Sequence, residues 1–204
     1  MKQIIVGTIN PAKVEQIKGA LKPLKIRVKG IDQTVKLPEI IEDGTVRENS
    51  RKKEKTYAEF LGETVLSMDN ALYLDGLAAE QQPGTNVRRI AERTDRPTDD
   101  ELLDYYSALI AKLGGKVNGK WEFAVCIAAP DGTAEEVAVI ESPRIFTSQP
   151  CETKIPGYPL ESLQIDPESG EYIAEMTEEE RALFWQKAIG GKLMELVKKS
   201  KLIR

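Results

Sequence analysis

The order of strand-like and helix-like segments constrains the fold of this chain more than any single motif does. Apolar runs alternate with capped, helix-periodic segments, and a hairpin pattern around Asp131-Gly132 follows in the second half. The predicted strands cover residues 3–7, 25–30, 64–68, 71–74, 121–129 and 135–141. The predicted helices cover residues 12–21, 47–61, 98–113 and 177–199. We therefore predict an α/β fold with a mixed β-sheet flanked by helices.

Helix-capping and turn-forming residues set the expected boundaries of the helices and strands. Asn10 is a good N-cap before Pro11, and Thr177 with Glu180 forms a capping-box pattern. The Asp69-Asn70 pair predicts a break between two strands. Turns or loops are predicted at residues 82–91 and 150–169, and a loop or an irregular strand at residues 31–46.

The size and composition of the chain predict a single domain over residues 1–204, or one domain folded as two lobes. The chain has 204 residues, of which 41% are hydrophobic, so it is long enough to bury a substantial core. It has no histidine, which excludes Ser-His-Asp and Cys-His triads and histidine-ligated zinc. Chemistry would have to depend on carboxylates, lysine, arginine and backbone amides, with or without a hard metal ion.

Net charge and hydropathy limit the classes of partner that we expect the protein to bind. The net charge is -4, so we expect no nucleic-acid or membrane-surface partner, and any polyanion must be held by a local cationic site. The apolar runs are too short for a membrane span, and the N-terminal segment lacks a signal-peptide pattern. Cys126 and Cys151 lack metal-like spacing. Together these features predict a cytoplasmic protein.

The first candidate binding motif is the turn between the first strand and the first helix. Thr8, Asn10 and Lys13 lie where backbone N–H groups at a helix N-terminus attract an anion. Lysine is unfavourable near that positive end unless an anion lies between them, so the turn is a candidate phosphate site. The alternative is an ordinary N-capped helix with a solvated lysine.

The second motif opens the strongly charged helix. Glu48 is a candidate metal ligand, Lys53 a candidate phosphate ligand, and Asn49 lies on the same helix face as Lys53. A glutamate in a first helical turn is also favoured by the helix dipole, and a charge run is usually a solvated face. Both interpretations stay open from the residues alone.

Two further motifs contribute one acidic residue and two arginines. Asp69 lies between apolar runs at a predicted sheet end, where it suits a metal or a general base, although the local sequence favours an ordinary Asp-Asn turn between two strands. Arg88 and Arg89 follow the Pro83-Gly84 turn and are candidates to clamp phosphate or stack on a base. The alternative for the arginines is a surface helix start.

Taken in order, these motifs resemble the inosine/xanthosine triphosphate pyrophosphatases over nearly the whole chain. The T-x-N-x-x-K, G-x-T-F-x-E-N-A-x-x-K-A, A-D-D-S-G and P-G-x-Y-S-A-R motifs of that family are matched in sequence order, and its G-Y-D-P loop and closing helix are matched more weakly. The matching positions are Thr8, Asn10, Lys13, Gly44, Glu48, Asn49, Lys53, Asp69, Pro83, Gly84, Arg89, residues 156–159 and residues 176–181.

The resemblance implies an elongated, two-lobed single domain with a central cleft, and a homodimer. It also implies Mg²⁺-dependent hydrolysis of non-standard purine nucleoside triphosphates to the monophosphate and pyrophosphate. In that interpretation Asp69 and Lys53 are catalytic, and Glu48 and Asp69 hold the metal. The implied substrate-binding residues are Thr8, Asn10, Lys13, Asn49, Arg89, Trp185, Gln186 and Lys187.

Departures from the family pattern fall on the acidic pair and on the base-reading side. Met68 replaces the first aspartate, Pro159 the aspartate of the G-Y-D-P loop, and Asn86 the tyrosine after Pro-Gly. The family's S-H-R run falls on residues 185–187, where Trp185 is either a stacking platform or a core residue, and Gln186 is a candidate hydrogen bonder to a base edge. We therefore expect altered nucleotide preference. A nucleotide-binding protein that has lost catalysis, or a scaffold that needs no ligand, remains an alternative.

Overall fold

The computed structural model describes residues 3–90, 97–133 and 137–203, and within these ranges it contains one six-stranded sheet flanked by helices. The sheet order is β2-β1-β3-β4-β5-β6. The strands are β1 Gln3–Val6, β2 Arg27–Gly30, β3 Val65–Leu74, β4 Lys116–Ala128, β5 Ala138–Thr147 and β6 Gln164–Ile165. The helices are α1 Pro11–Leu21, α2 Val46–Leu61, α3 Asp99–Lys112, α4 Glu178–Trp185 and α5 Gly191–Lys199, with a π-helical turn at Gln186–Gly190.

The sheet is mixed, as the alternation of elements predicts. Strand β1 pairs in parallel with β2, with Gln3 opposite Arg27, and also in parallel with β3, with Ile5 opposite Val65. Strand β5 pairs antiparallel with β6, with Ile145 opposite Ile165. The predicted α/β class with a mixed, helix-flanked sheet is confirmed.

Several predicted boundaries need correction. Residues 65–74 form one continuous strand, so the break expected at Asp69-Asn70 is wrong: pairing within the sheet overrides the local turn preference of these two residues. The last helix is interrupted by the π-helical turn, and residues 164–165 form a short strand inside a predicted loop. Residues 91, 135 and 136 of two predicted segments lie outside the described residues.

The chain divides into two compact units. The first comprises residues 1–70, 122–141 and 182–204, and the second comprises residues 71–121 and 142–181. In the first unit α1 packs against the π-helical turn, and the apolar side chains of Ile17, Leu21 and Leu193 are fully buried. In the second unit α3 packs against residues 159–163, and the Tyr106 hydroxyl donates a 3.0 Å hydrogen bond to the carbonyl of Val87.

Side-chain caps fix where the helices begin. Asn10 caps α1 as expected, and capping boxes join Thr45 to Glu48 and Thr98 to Glu101 at the starts of α2 and α3. Glu180 accepts hydrogen bonds from the backbone N–H and hydroxyl of Thr177 ahead of α4, which confirms the predicted box. In the part of the chain that the structure describes, no helix is long and apolar enough to cross a membrane.

Gly119 of β4 provides a test of the packing in the second unit. A Cβ atom there would lie 2.5 Å from the carbonyl oxygen of Tyr73 and 2.9 Å from the ring of Phe146. We expect Gly119→Ala to lower the free energy of unfolding by about 1–3 kcal/mol, because backbone and core atoms would have to move. Gly191→Ala is the matched control, since nothing lies within 4 Å of its added Cβ. Chemical denaturation of both variants measures the difference, and equal stabilities would contradict the packing described here.

Candidate active site

The turn between β1 and α1 has the geometry of an anion-binding helix start. The Thr8 hydroxyl oxygen accepts a 3.1 Å hydrogen bond from the Asn10 N–H, and the Asn10 side-chain oxygen accepts one of 3.0 Å from the Ala12 N–H. These contacts hold the turn in a fixed shape. The first turn of α1 carries no acidic residue, whereas those of α2 and α3 do, and the half-buried Lys13 adds positive charge. The positive end of α1 is therefore suited to an external anion.

Lys53 is held between two carboxylates in the first unit. Its ammonium nitrogen lies 3.3 Å from an Asp69 oxygen and 2.5 Å from a Glu42 oxygen. The Lys53 and Asp69 side chains are only 14% and 10% exposed, whereas that of Glu42 is 38% exposed. Burial on its own lowers the pKa of Lys53, but the attraction of Asp69 and Glu42 outweighs it, so the pKa is raised and the lysine stays charged.

Glu42 is the site residue that the sequence motifs did not identify. It lies in the loop before α2, where no strand or helix pattern draws attention to it. The Glu42-Asp43 pair of acids ahead of a lysine-rich helix is a weak charge pattern from which it could have been found. Asp43 pairs with Lys52, so both acids of this loop are bound to lysines of α2.

Asn49 organises the loop that carries Glu42. Its side chain is fully buried; the side-chain oxygen accepts a 3.0 Å hydrogen bond from the Gly44 N–H, and the side-chain nitrogen donates one of 3.1 Å to the Gly44 carbonyl. Asn49 therefore bonds both backbone groups of one loop residue. These contacts give it a positioning role, whereas the family resemblance implies a substrate contact.

The structure does not group Glu48 with Lys53 and Asp69. The Glu48 carboxylate is exposed and accepts hydrogen bonds from the Thr45 N–H (2.8 Å) and hydroxyl (2.9 Å), which completes the capping box of α2. The Thr45 N–H and then its hydroxyl lower the pKa of this carboxyl. These contacts give Glu48 a capping role, and its role as a metal ligand stays a prediction.

Met68 lies on the opposite face of β3 from Asp69. Successive residues of a strand face opposite sides of the sheet, and Asp69 contacts Lys53 of α2 while Met68 is 2% exposed in the core. The residue that replaces the first family aspartate is therefore an apolar core residue. The Lys53 cluster keeps two acidic groups because Glu42 contributes one from the loop.

The two adjacent arginines of the second unit have different surroundings. Arg88 donates hydrogen bonds of 3.3 Å to an Asp99 oxygen and 2.9 Å to the Gly157 carbonyl, and Asp99 also accepts a 2.7 Å hydrogen bond from the Gly157 N–H. Arg88 therefore fixes the loop around Gly157. Arg89 is exposed, and its phosphate-binding role remains a prediction.

Trp185 is a core residue of the first unit. It is 4% exposed and contacts Phe184 and Phe123 edge-on, with ring centroids 4.9 Å and 6.3 Å away. This burial favours the core interpretation over base stacking. Gln186 is half-buried and Lys187 exposed, both in the π-helical turn, an irregularity that is frequent at functional sites.

Replacing Asn49 tests its positioning role. Asn49→Ala removes two buried hydrogen bonds and leaves the polar groups of Gly44 unpaired, so we expect a loss of about 1–3 kcal/mol in the free energy of unfolding. The exposed Arg47→Ala on the same helix should change stability by less than about 0.5 kcal/mol. Denaturant titration compares the two, and an unchanged Asn49→Ala protein would contradict the role.

Comparison with known proteins identifies the family. A sequence profile of the Ham1 family matches residues 4–189. The dITP/XTP pyrophosphatase of Exiguobacterium sp. is 31% identical over 186 residues, 89% of this chain and 89% of the relative. The dITP/XTP pyrophosphatase of Nitratidesulfovibrio vulgaris is 27% identical over 191 residues, 87% of this chain and 86% of the relative.

Solved structures share the fold. A HAM1 protein from Coxiella burnetii aligns with a TM-score of 0.67 at 18% identity, and the Staphylococcus aureus Ham1 protein aligns with 0.64 at 20% identity. Each alignment covers 98% of this chain and 100% of the other. The resemblance of the motifs to the inosine/xanthosine triphosphate pyrophosphatases is thereby confirmed, and the chain belongs to the Ham1 family.

Proposed function

We propose that this protein is a Mg²⁺-dependent nucleoside triphosphate pyrophosphatase that hydrolyses non-standard or related triphosphates to the monophosphate and pyrophosphate. The names of the relatives support the reaction, and the clustering of Lys53, Asp69 and Glu42 is the observation that carries it. A charged lysine beside two carboxylates provides both a phosphate ligand and oxygen donors for a hard cation.

The donor set fits Mg²⁺. This ion is usually bound through one or two carboxylates together with substrate phosphates and water. Among the residues that the structure describes, no group of three or more His, Cys, Asp or Glu side chains could hold a metal, whereas Asp69 and Glu42 both contact one ammonium group. We assign Asp69 and Glu42 as the ligands. When bound, Mg²⁺ neutralises negative charge on the phosphates.

The protein groups act mainly by positioning and charge. The Lys53 ammonium would donate hydrogen bonds to phosphate oxygens, and Lys13 with the start of α1 would bind a further phosphate. Asp69 would accept a proton from the water that attacks the α-phosphorus. The bond to the bridging oxygen then breaks and pyrophosphate leaves. Arg89 stays a predicted phosphate ligand of the second unit.

Base selection is expected to differ from that of inosine- and xanthosine-specific relatives. The histidine and arginine of the family's S-H-R run correspond to Gln186 and Lys187 here. Glutamine can both donate to and accept from a base edge, and Lys187 adds a mobile positive charge. A cytoplasmic location and a homodimer, both predicted above, are retained as parts of this proposal.

A second candidate is a nucleotide-binding protein without catalysis, which Met68 favours because one acidic residue of the family pair is absent. The first experiment measures pyrophosphate release from a panel of purine and pyrimidine ribo- and deoxyribonucleoside triphosphates, with and without Mg²⁺. Turnover of any member supports the hydrolase. Binding across the panel without turnover supports the second candidate.

Asp69→Asn tests the catalytic assignment. We expect kcat to fall by roughly 10²–10³-fold, because the proton acceptor and one metal ligand are lost together. The exposed Asp75→Asn is the control, and it should retain activity. Full activity of Asp69→Asn on every hydrolysed nucleotide would refute the mechanism.

A matched pair of variants decides which glutamate holds the metal. Glu42→Gln should raise the Mg²⁺ concentration needed for half-maximal activity by about 10- to 100-fold, because an oxygen ligand loses its charge. Glu48→Gln should leave that concentration unchanged, since glutamine also completes a capping box. Titration of pyrophosphate release against Mg²⁺ gives both values. If only Glu48→Gln raises the Mg²⁺ requirement, Glu48 is the metal ligand, as the family motif implies.

A further inference from the structure

Glu54 is a fully buried acidic residue directly after Lys53 on α2. The Cys126 thiol of β4 donates a hydrogen bond to its Oε1 atom. Its Oε2 atom is buried and has no hydrogen-bond partner within the described ranges. The motif that matches Lys53 has alanine in the following position, so Glu54 is a departure of this chain from the pattern.

Two buried hydroxyl groups accompany this carboxyl. Ser50 lies one turn earlier on α2 and Ser67 lies on β3; both side chains are fully buried, and neither hydroxyl has a hydrogen-bond partner in the part of the chain described. Ser50 and Glu54 share one face of the helix because they are four residues apart.

Ser67 belongs to the strand face that α2 covers. On this face Asp69 contacts Lys53, and Val65 packs with Ala58 further along the helix. Ser67 lies between these two strand positions on the same face. The buried oxygen atoms of Ser50 and Glu54 on α2 and of Ser67 on β3 therefore lie on the facing surfaces of these two elements, next to the Lys53 site, and are called the polar cluster below.

Protonation of Glu54 would relieve the unfavourable burial of these polar groups. A carboxylate buried with an unpaired oxygen is costly, and protonation of Oε2 both removes the charge and provides a donor for a serine hydroxyl. Burial raises the pKa of Glu54 to about 7, against the lowering effects of the Cys126 hydrogen bond and the Arg51 charge. The group therefore gains or loses its proton near neutral pH.

We propose that Glu54, Ser50, Ser67 and Cys126 form a buried proton-binding site behind the Lys53 cluster, and that release of this proton weakens anion binding at Lys53. The second part rests on the proposed function, which places phosphates there. Ionised Glu54 would add a negative charge beside the carboxylates of Asp69 and Glu42, so an incoming phosphate would be repelled more strongly. Among the described residues, Arg51 of α2 is the charged group that acts on Glu54, and the Cys126 thiol of β4 is the titratable group that contacts it.

The proton site is tested without any ligand. Folded Glu54 keeps its proton up to about pH 7, whereas the unfolded group loses it near its ordinary pKa of 4.5. Its stabilising contribution is therefore full below pH 4.5, is lost as the pH rises to about 7, and stays constant above. We expect the difference in unfolding midpoint between wild type and Glu54→Gln to change in that window and not above it. Glu59→Gln, which changes an exposed acid on the same helix, is the matched control variant.

The coupling is tested with pyrophosphate in the absence of divalent metal. Calorimetric affinities of wild type and Glu54→Gln at pH 6 and pH 8 are compared as a ratio, which cancels the titration of pyrophosphate itself. We expect similar affinities at pH 6 and roughly fivefold or more weaker binding by wild type at pH 8. Glu54→Met, which keeps the volume without a polar group, serves if the glutamine variant does not fold, and it should behave alike.

Each outcome has one meaning. A stability difference that is independent of pH overturns the proton site. A pH-dependent stability difference with a constant affinity ratio overturns the coupling. If neither protein binds pyrophosphate at any pH, both the coupling and the anion site of the proposed function fail, whereas the stability titration still decides whether Glu54 holds a proton.

Discussion

The contact between Lys53 and the carboxylates of Asp69 and Glu42 is the interaction on which the rest of the candidate site depends. It joins α2, β3 and the loop before α2 at one ammonium group. Desolvation of a lysine costs several kcal/mol unless opposite charges and hydrogen bonds compensate it. Here two carboxylates do so, and a ligand that displaces one of them must supply negative charge of its own. A polyphosphate meets that requirement.

The start of α2 explains how the loop acid reaches this lysine. Thr45 and Glu48 satisfy each other's backbone groups, which sets the first turn, and Asn49 then binds Gly44 through both ends of its side-chain amide. The chain just before the helix is thus held by short-range polar contacts. Glu42 lies two residues before Gly44, so its position follows from the same contacts. The loop that carries Glu42 is therefore positioned by contacts with nearby residues of the chain. The exposed carboxylate of Glu48 takes part in this by capping α2.

The sequence predicted the elements better than it predicted their roles. Hydrophobic periodicity and caps are local, which explains why the mixed sheet and the caps could be anticipated. The expectation that Lys53 and Asp69 belong to one site came from the resemblance to the family. The break at Asp69-Asn70 was wrong because sheet pairing outweighs turn preference, and no local pattern shows which strands will pair. Glu42 was missed because its partner is eleven positions along the chain and the contact depends on the loop path. The T-x-x-E pattern at Thr45 and Glu48 was available in the sequence and indicates the cap.

The buried face of α2 is apolar at one end and polar near Lys53, and these two kinds of surface affect stability in opposite directions. An apolar face would pack more stably on β3 and β4, as Ala58 does against Val65 and Ala128. Closer to Lys53 the same face carries Ser50 and Glu54 instead, and β3 offers Ser67. Buried polar groups with incomplete hydrogen bonding reduce stability, so packing alone does not account for their presence. The Glu54 carboxyl group is neutral when protonated and negatively charged when it is not. It can therefore alter the electrostatic potential at Lys53 without any movement of the backbone. The low dielectric of the interior strengthens that effect, because a buried charge is screened far less than a surface charge.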